Sequence, residues 1–133
     1  MTSYADSSAL LKRYVDEPDS DTAEELLRGD PELVTGRHTL VEVRRNLARM
    51  LSGTALTEAR GWFATDLNSF AIVELDDATC ELAATIAEQT GVRTLDALHL
   101  GAARRLGLAV TFITFDLRQA QAARSIGFRV AGI

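Results

Sequence analysis

The stretch LAVTFITFDLRQAQAARSIGFRV, Leu108–Val130, decides the fold. Its first part, Leu108–Asp116, is β-branched and aromatic and reads as a strand that ends at an acid. LRQAQAARSIG then reads as a helix, stopped at Gly127, and FRVAGI, from Phe128, as a second strand. A strand, a helix and a strand joined by short connections form a right-handed crossover between parallel strands.

The same alternation runs back to the start of the chain. SYA is a short strand ended by Asp6, and SSALLKRYV, Ser7–Val15, carries Leu10, Leu11, Tyr14 and Val15 at helical spacing. A polar turn with Pro18 follows, and Asp21 is a candidate cap for a helix that stops at Gly29. ELVT is a short extended segment. TLVEVRRNLARMLSG is a helix with Leu40, Val43, Leu47, Met50 and Leu51 on one face and Gly53 past its end. LTEARGWFATDLNSF is a further helix, weakened at Gly61, and AIVEL an apolar strand. DDATCELAATIAEQTG is a helix opened by acids and closed by Gly91. In RTLDALHLGAARRLGL, Arg93–Leu108, Leu95, Leu98, Ala102 and Leu106 recur at helical spacing behind Thr94, a candidate N-cap. The expected fold class is α/β: a three-layer α/β/α sandwich around a central parallel sheet.

The totals fit one domain spanning residues 1–133. The sequence has 133 residues, 47% of them hydrophobic and 25% charged, enough for one core. No apolar run approaches the ~20 residues of a membrane span, and the polar N-terminus does not read as a signal peptide. The single cysteine, Cys80, rules out an internal disulfide and suits a reducing, cytoplasmic setting. Its helical surroundings predict a small buried side chain. The net charge of −5 argues against a simple cationic nucleic-acid binder.

In open parallel sheets, sites form outside the carboxyl ends of the strands. Asp6 and Asp116 stand at two such ends, and Asp96 and Glu42 sit in or near first helical turns. Each acid has a plainer reading. Asp6 and Asp116 can cap the helices that follow them, Asp96 can offset a helix dipole, and Glu42 can pair with Arg45 or Asn46. Four such coincidences at one rim are less economical than one metal site. Clustered oxygen ligands suit Mg²⁺ or Mn²⁺, and such ions support phosphodiester hydrolysis.

The segments YADSSALLKRY, TLVEVRRNLAR, RTLDALHLGAARRLG and TFITFDLRQAQAARSIGFRV, in that order, resemble the motif regions of PIN-domain ribonucleases. Their lengths are most similar to those of the VapC toxins of bacterial toxin–antitoxin pairs. The resemblance implies a Mg²⁺- or Mn²⁺-dependent endoribonuclease whose metal site is built from Asp6, Glu42, Asp96 and Asp116. It also implies that Ser8 and Thr114 hold water or orient the carboxylates. RNA as substrate, a cognate antitoxin protein as partner and a homodimer are implied in the same way. The alternative is a catalytically inactive PIN scaffold that binds a protein partner.

Other residues are read more plainly. His99 is expected to be a satisfied core histidine or one that supports the site, and His38 a surface residue. Trp62 and Phe63 are expected in the core. Lys12, Arg13, Arg44, Arg45, Arg49, Arg104 and Arg105 are either a solvated face or grips for RNA phosphates. A phosphoacceptor domain would need a late lysine, yet Lys12 is the only lysine. An aspartyl phosphatase would need an acid where Ser8 stands. Neither a glycine-rich nucleotide loop nor a G-x-S-x-G serine elbow is present.

Overall fold

The structure, a computed structural model, describes residues 2–29 and 32–133. Strands and helices alternate along it: β1 (Thr2–Ala5), α1 (Ser7–Leu11), α2 (Ser20–Arg28), β2 (Glu32–Gly36), α3 (Thr39–Met50) and α4 (Gly53–Ser69). Then come β3 (Ala71–Val73), α5 (Asp77–Thr90), α6 (Thr94–Arg104), β4 (Thr111–Thr114), α7 (Leu117–Ser125) and β5 (Arg129–Gly132). Among the described residues the strands form one sheet in the order β3-β2-β1-β4-β5. Every pairing is parallel.

Successive strand residues point to opposite faces, and the two cores follow that period of two. Tyr4, Val34 and Phe112 bury one face under Ile86 of α5, Leu100 of α6 and Ala123 of α7. Their strand neighbours Ala5, Leu33 and Ile113 bury the other under Leu10 of α1, Leu27 of α2, Leu47 of α3 and Phe63 of α4. Each large buried side chain contributes roughly 1.5–3 kcal/mol. The result is the expected three-layer sandwich. It places the central strands β1 and β4 side by side where the strand order reverses, the usual position of a binding crevice.

Several local expectations shift. The helix expected over Ser7–Val15 ends at Leu11, and the chain tightens through turns in which Arg13 N–H and Tyr14 N–H donate to Leu10 and Leu11 carbonyls. Tyr14 gains from leaving the helix: its ring packs on Phe63 and its hydroxyl donates to Asp66 at 2.7 Å. Asp19, not Asp21, stands at the N-cap of α2. Gly53 opens α4 at φ +57°. The strands β3 and β4 are shorter than their apolar runs, and Leu108 lies exposed before β4.

In α6 the N-cap is Arg93, not Thr94, and no side chain caps it. The buried stripe is rotated from the one the leucines suggest. Leu95 and Leu106 are exposed, while Ala97, His99, Leu100, Gly101, Ala102 and Ala103 are buried. The cause is Gly101. A Cβ there would lie 2.9 Å from the backbone nitrogen of Ala83, so only glycine lets α5 approach this closely. The helix turns its smallest residues toward its neighbour and leaves two leucines outside. Cys80 is exposed on α5 rather than buried, and Trp62 is exposed while its neighbour Phe63 is buried.

Candidate functional site

Backbone direction brings the first two acids to the rim. Asp6 follows β1, and its N–H still donates to Ile113 of β4, extending the sheet by one bond. Its side chain therefore emerges at the carboxyl end of two adjacent strands. It is almost fully buried and saturated with donors. Ser8 Oγ donates to Oδ1 at 2.6 Å and Ala9 N–H at 3.1 Å, while Thr114 Oγ1 donates to Oδ2 at 2.5 Å. The capping reading and the site reading are both true of Asp6: one oxygen caps α1 and the other faces β4.

Ser8 and Thr114 are tied in turn to the segment after β4. Phe115 N–H donates to Ser8 Oγ at 3.0 Å and Asp116 N–H to Thr114 Oγ1 at 3.1 Å. Asp116 caps α7 by accepting from Gln119 N–H at 3.0 Å. Gln119 is fully buried, and its amide donates to the Asp96 carbonyl at 3.1 Å. It thereby fixes the start of α6 against the start of α7.

Glu42, in the first turn of α3, is held differently. Its Oε1 accepts from Ser7 Oγ at 2.7 Å and from His99 Nε2 at 2.7 Å. His99 is buried, and its Nδ1 lies 2.7 Å from the Tyr4 hydroxyl in the middle of β1. A polar chain thus runs from the core through Tyr4 and His99 to Glu42. His38 is buried too, contrary to its expected surface position. Its ring centre lies 4.0 Å from that of His99.

The electrostatics separate the acids. Burial raises the Asp6 carboxyl, opposed by His99 and by the Ser8, Thr114 and Ala9 donors. Burial also raises Asp96, and the charges of Asp116, Asp6 and Glu42 add to it. For Glu42, burial pushes upward, but hydrogen bonds and charge from His99, with Ser7 and His38, outweigh it and lower the carboxyl. Asp96 is the point at which the fields of the other three acids meet, with His99 opposing them. No described donor reaches its carboxylate.

Asp96 and Asp116 help line a groove of about 850 Å³ between α7 and the segment that joins α5 to α6. Arg93 and Arg118 line it as well, and both are exposed. Several of the basic residues singled out from the sequence are engaged elsewhere. Lys12 pairs with Glu17 and Asp19, Arg13 with Glu24 and Asp66, and Arg105 with Asp76. Sequence reading missed Ser7, Tyr4, Gln119 and His38 as parts of this region. Only Ser7, beside Asp6, carried a local hint.

A nuclease of the PIN-domain kind is the class this sheet order and acid placement suggest, and the chain belongs to the PIN-domain family, whose model matches residues 3–125. It is 33% identical over 128 residues to Ribonuclease VapC46 of Mycobacterium tuberculosis, covering 96% of this chain and 94% of that one. Its fold is similar to that in the crystal structure of FitAcB from Neisseria gonorrhoeae, with TM-score 0.77 at 18% identity over 99% of this chain and 97% of the other. It is also similar to a toxin–antitoxin complex from Klebsiella pneumoniae, with TM-score 0.71 at 17% identity over 98% and 96% of the two chains.

Proposed function

We propose that this chain is a divalent-metal-dependent endoribonuclease acting as the toxin of a toxin–antitoxin pair, with Asp6, Glu42, Asp96 and Asp116 as its metal-binding acids. The observation that carries the reading is Asp96. Its carboxyl is raised by burial and by three other carboxylates, which outweigh the opposing pull of His99, and no donor among the described residues reaches it. Oxygen-only ligands around an uncompensated negative field fit Mg²⁺ or Mn²⁺. The kinship with a named ribonuclease supports RNA as the substrate.

The metal supplies a more acidic bound water and stabilises charge that develops at phosphorus. Asp6, locked by Ser8 and Thr114, is a fixed ligand that needs no reordering. Glu42 is kept ionised by His99 and Ser7. Asp96 completes the set, and Asp116 stands beside it at the groove. Arg93 and Arg118 are placed to hold backbone phosphates on either side of the cut bond, with the forked geometry that suits them.

A protein antitoxin is the expected partner, since the fold recurs in a toxin–antitoxin complex. None of the described helices is long and apolar enough to cross a membrane, and action on RNA supports the reading of a cytoplasmic protein. The test is cleavage of a mixed RNA pool by the purified chain. Activity should vanish in EDTA and return with Mg²⁺ or Mn²⁺. Cleavage that persists in chelator, or intact RNA under all metal conditions, would refute the reading.

A further inference from the structure

Around Glu42 lies a donor set of a different chemistry. A ligand atom from each of His38, Glu42 and His99 falls within 4.8 Å of the others. His99 Nε2 is 2.7 Å from Glu42 Oε1, and His38 Nε2 is 3.8 Å from the same oxygen. Two imidazoles and one carboxylate are the ligands of a borderline cation rather than a hard one.

His38 supplies the second observation. It is 7% exposed, yet among the described residues neither ring nitrogen makes a well-formed hydrogen bond, the Leu95 backbone being a weak partner at best. A buried polar ring so poorly answered calls for an explanation. The surroundings are shaped around it. A Cβ on Gly36 would come within 2.7 Å of the His38 ring and 2.8 Å of the Tyr4 hydroxyl, so the glycine makes the room.

The outer partner is already in place. Metal-bound histidines usually anchor their second nitrogen on a polar neighbour, and His99 Nδ1 sits 2.7 Å from the Tyr4 hydroxyl. For His99 to bind through Nε2, its one N–H moves from Nε2 to Nδ1. The Tyr4 oxygen then accepts where it formerly donated, and no proton is gained or lost by the ring.

We propose that His38, Glu42 and His99 form a second cation site, selective for Zn²⁺, that shares Glu42 with the all-oxygen cleft. Zn²⁺ bound there draws Glu42 toward the histidines and withdraws it from the RNA-cutting site, so it inhibits where Mn²⁺ activates. The binding half of the inference does not depend on the nuclease reading; the inhibition half does.

The experiment is Zn²⁺ and Co²⁺ titration of the purified chain by calorimetry and visible absorption, in wild type, Asp96→Asn and His38→Asn. Wild type and Asp96→Asn should each bind one Zn²⁺ at this site. Both should give the intense visible bands of four- or five-coordinate Co²⁺. His38→Asn should weaken Zn²⁺ at least tenfold and lose those bands. Equal Zn²⁺ binding in His38→Asn and wild type would overturn the site, as would weak bands of six-coordinate Co²⁺ in wild type. If His38→Asn does not fold, ring-nitrogen NMR of wild type decides: His38 and His99 signals must both move on adding Zn²⁺, and unmoved signals overturn it. In cleavage assays, Zn²⁺ should suppress Mn²⁺-supported activity. Zn²⁺ bound without suppression would refute the inhibition and leave the site standing.

Discussion

The two walls of the acid cleft are built on opposite principles. Along β1, α1 and β4, Asp6 receives donors from Ser8, Ala9 and Thr114, and nearby Glu42 receives them from Ser7 and His99. At the start of α6, the Asp96 side chain has no described donor; the favourable end of a helix dipole and a pull from His99 stand against burial and three like charges. The first wall is organised before anything binds. The second is under electrostatic stress until something does. A site that must hold a cation in one geometry and still take it up readily gains from having both: fixed ligands set the position, and the unrelieved one supplies the attraction.

The largest expected effects test whether both walls take part in the chemistry. Asp6→Asn and Asp96→Asn should each lower metal-supported RNA cleavage by more than about 100-fold, beyond the usual 10–100-fold loss for residues that only support a ligand. Circular dichroism should show both folded. A fluorescent RNA assay in which Asp96→Asn keeps most of its activity would reduce the second wall to a helix terminus. Next, Thr114→Val removes one donor from Asp6 without touching Asp96. Activity should fall roughly tenfold, with a higher Mn²⁺ concentration needed for half-maximal rate.

Stability should separate the walls by sign. Without metal, Asp96→Asn should stabilise the fold by on the order of 1 kcal/mol, typical of relieving strain at a functional site, and so raise the melting temperature. The lost dipole interaction opposes it by roughly 0.3–1 kcal/mol, so the gain is narrow. Glu42→Gln should lower the melting temperature instead, because it removes a charge that its surroundings stabilise. A shift of the same sign in both variants would erase the contrast.

The smallest effect is on pH dependence. The Asp6 and Asp96 carboxyls are raised on folding. The native state therefore binds more protons than the unfolded chain between about pH 4 and their raised values. Stability falls as pH rises through that window. Glu42, lowered on folding, does the reverse: its contribution is complete above the ordinary glutamate range and is lost as pH falls. His38, lowered on folding to about 4, also opposes the aspartates, because its contribution is lost as pH falls through the ordinary histidine range. The contrast is therefore read as a difference: on acidification from neutral pH toward the carboxylate range, metal-free wild type should gain stability relative to Asp96→Asn. Denaturant melts of both proteins at matched ionic strength measure it, and a difference that does not change with pH contradicts the stressed wall.

Much of the architecture was legible in the chain. The β-branched run before Asp116 and the strand before Asp6 each predicted an acid at the carboxyl end of a strand, and the sheet sets those two strands side by side. What the sequence concealed has a common cause: side chains whose burial is decided by a distant partner. The leucines of α6 suggested one face, but the Gly101–Ala83 approach turned the helix to another. Trp62 and Phe63 are equally apolar, and only the position of Tyr14 selects Phe63 for the core. His38 reads as a surface histidine because nothing near it in sequence announces that Gly36 and His99 enclose it. The rotated stripe also explains Asp96, which stands beside the buried side of α6 and so meets the other acids.

The chain of contacts from Tyr4 through His99 to Glu42 makes the interior of this domain visible to genetics. In a selection for variants that no longer cut RNA, hits should not be confined to acids at the rim. Tyr4→Phe keeps the aromatic packing on Phe112 yet removes the hydroxyl against His99, and Gly36→Ala pushes on the His38 ring and that hydroxyl together. Both positions lie in strands and would ordinarily be classed as folding defects. Here they should be recovered as well-folded, soluble proteins with damaged function.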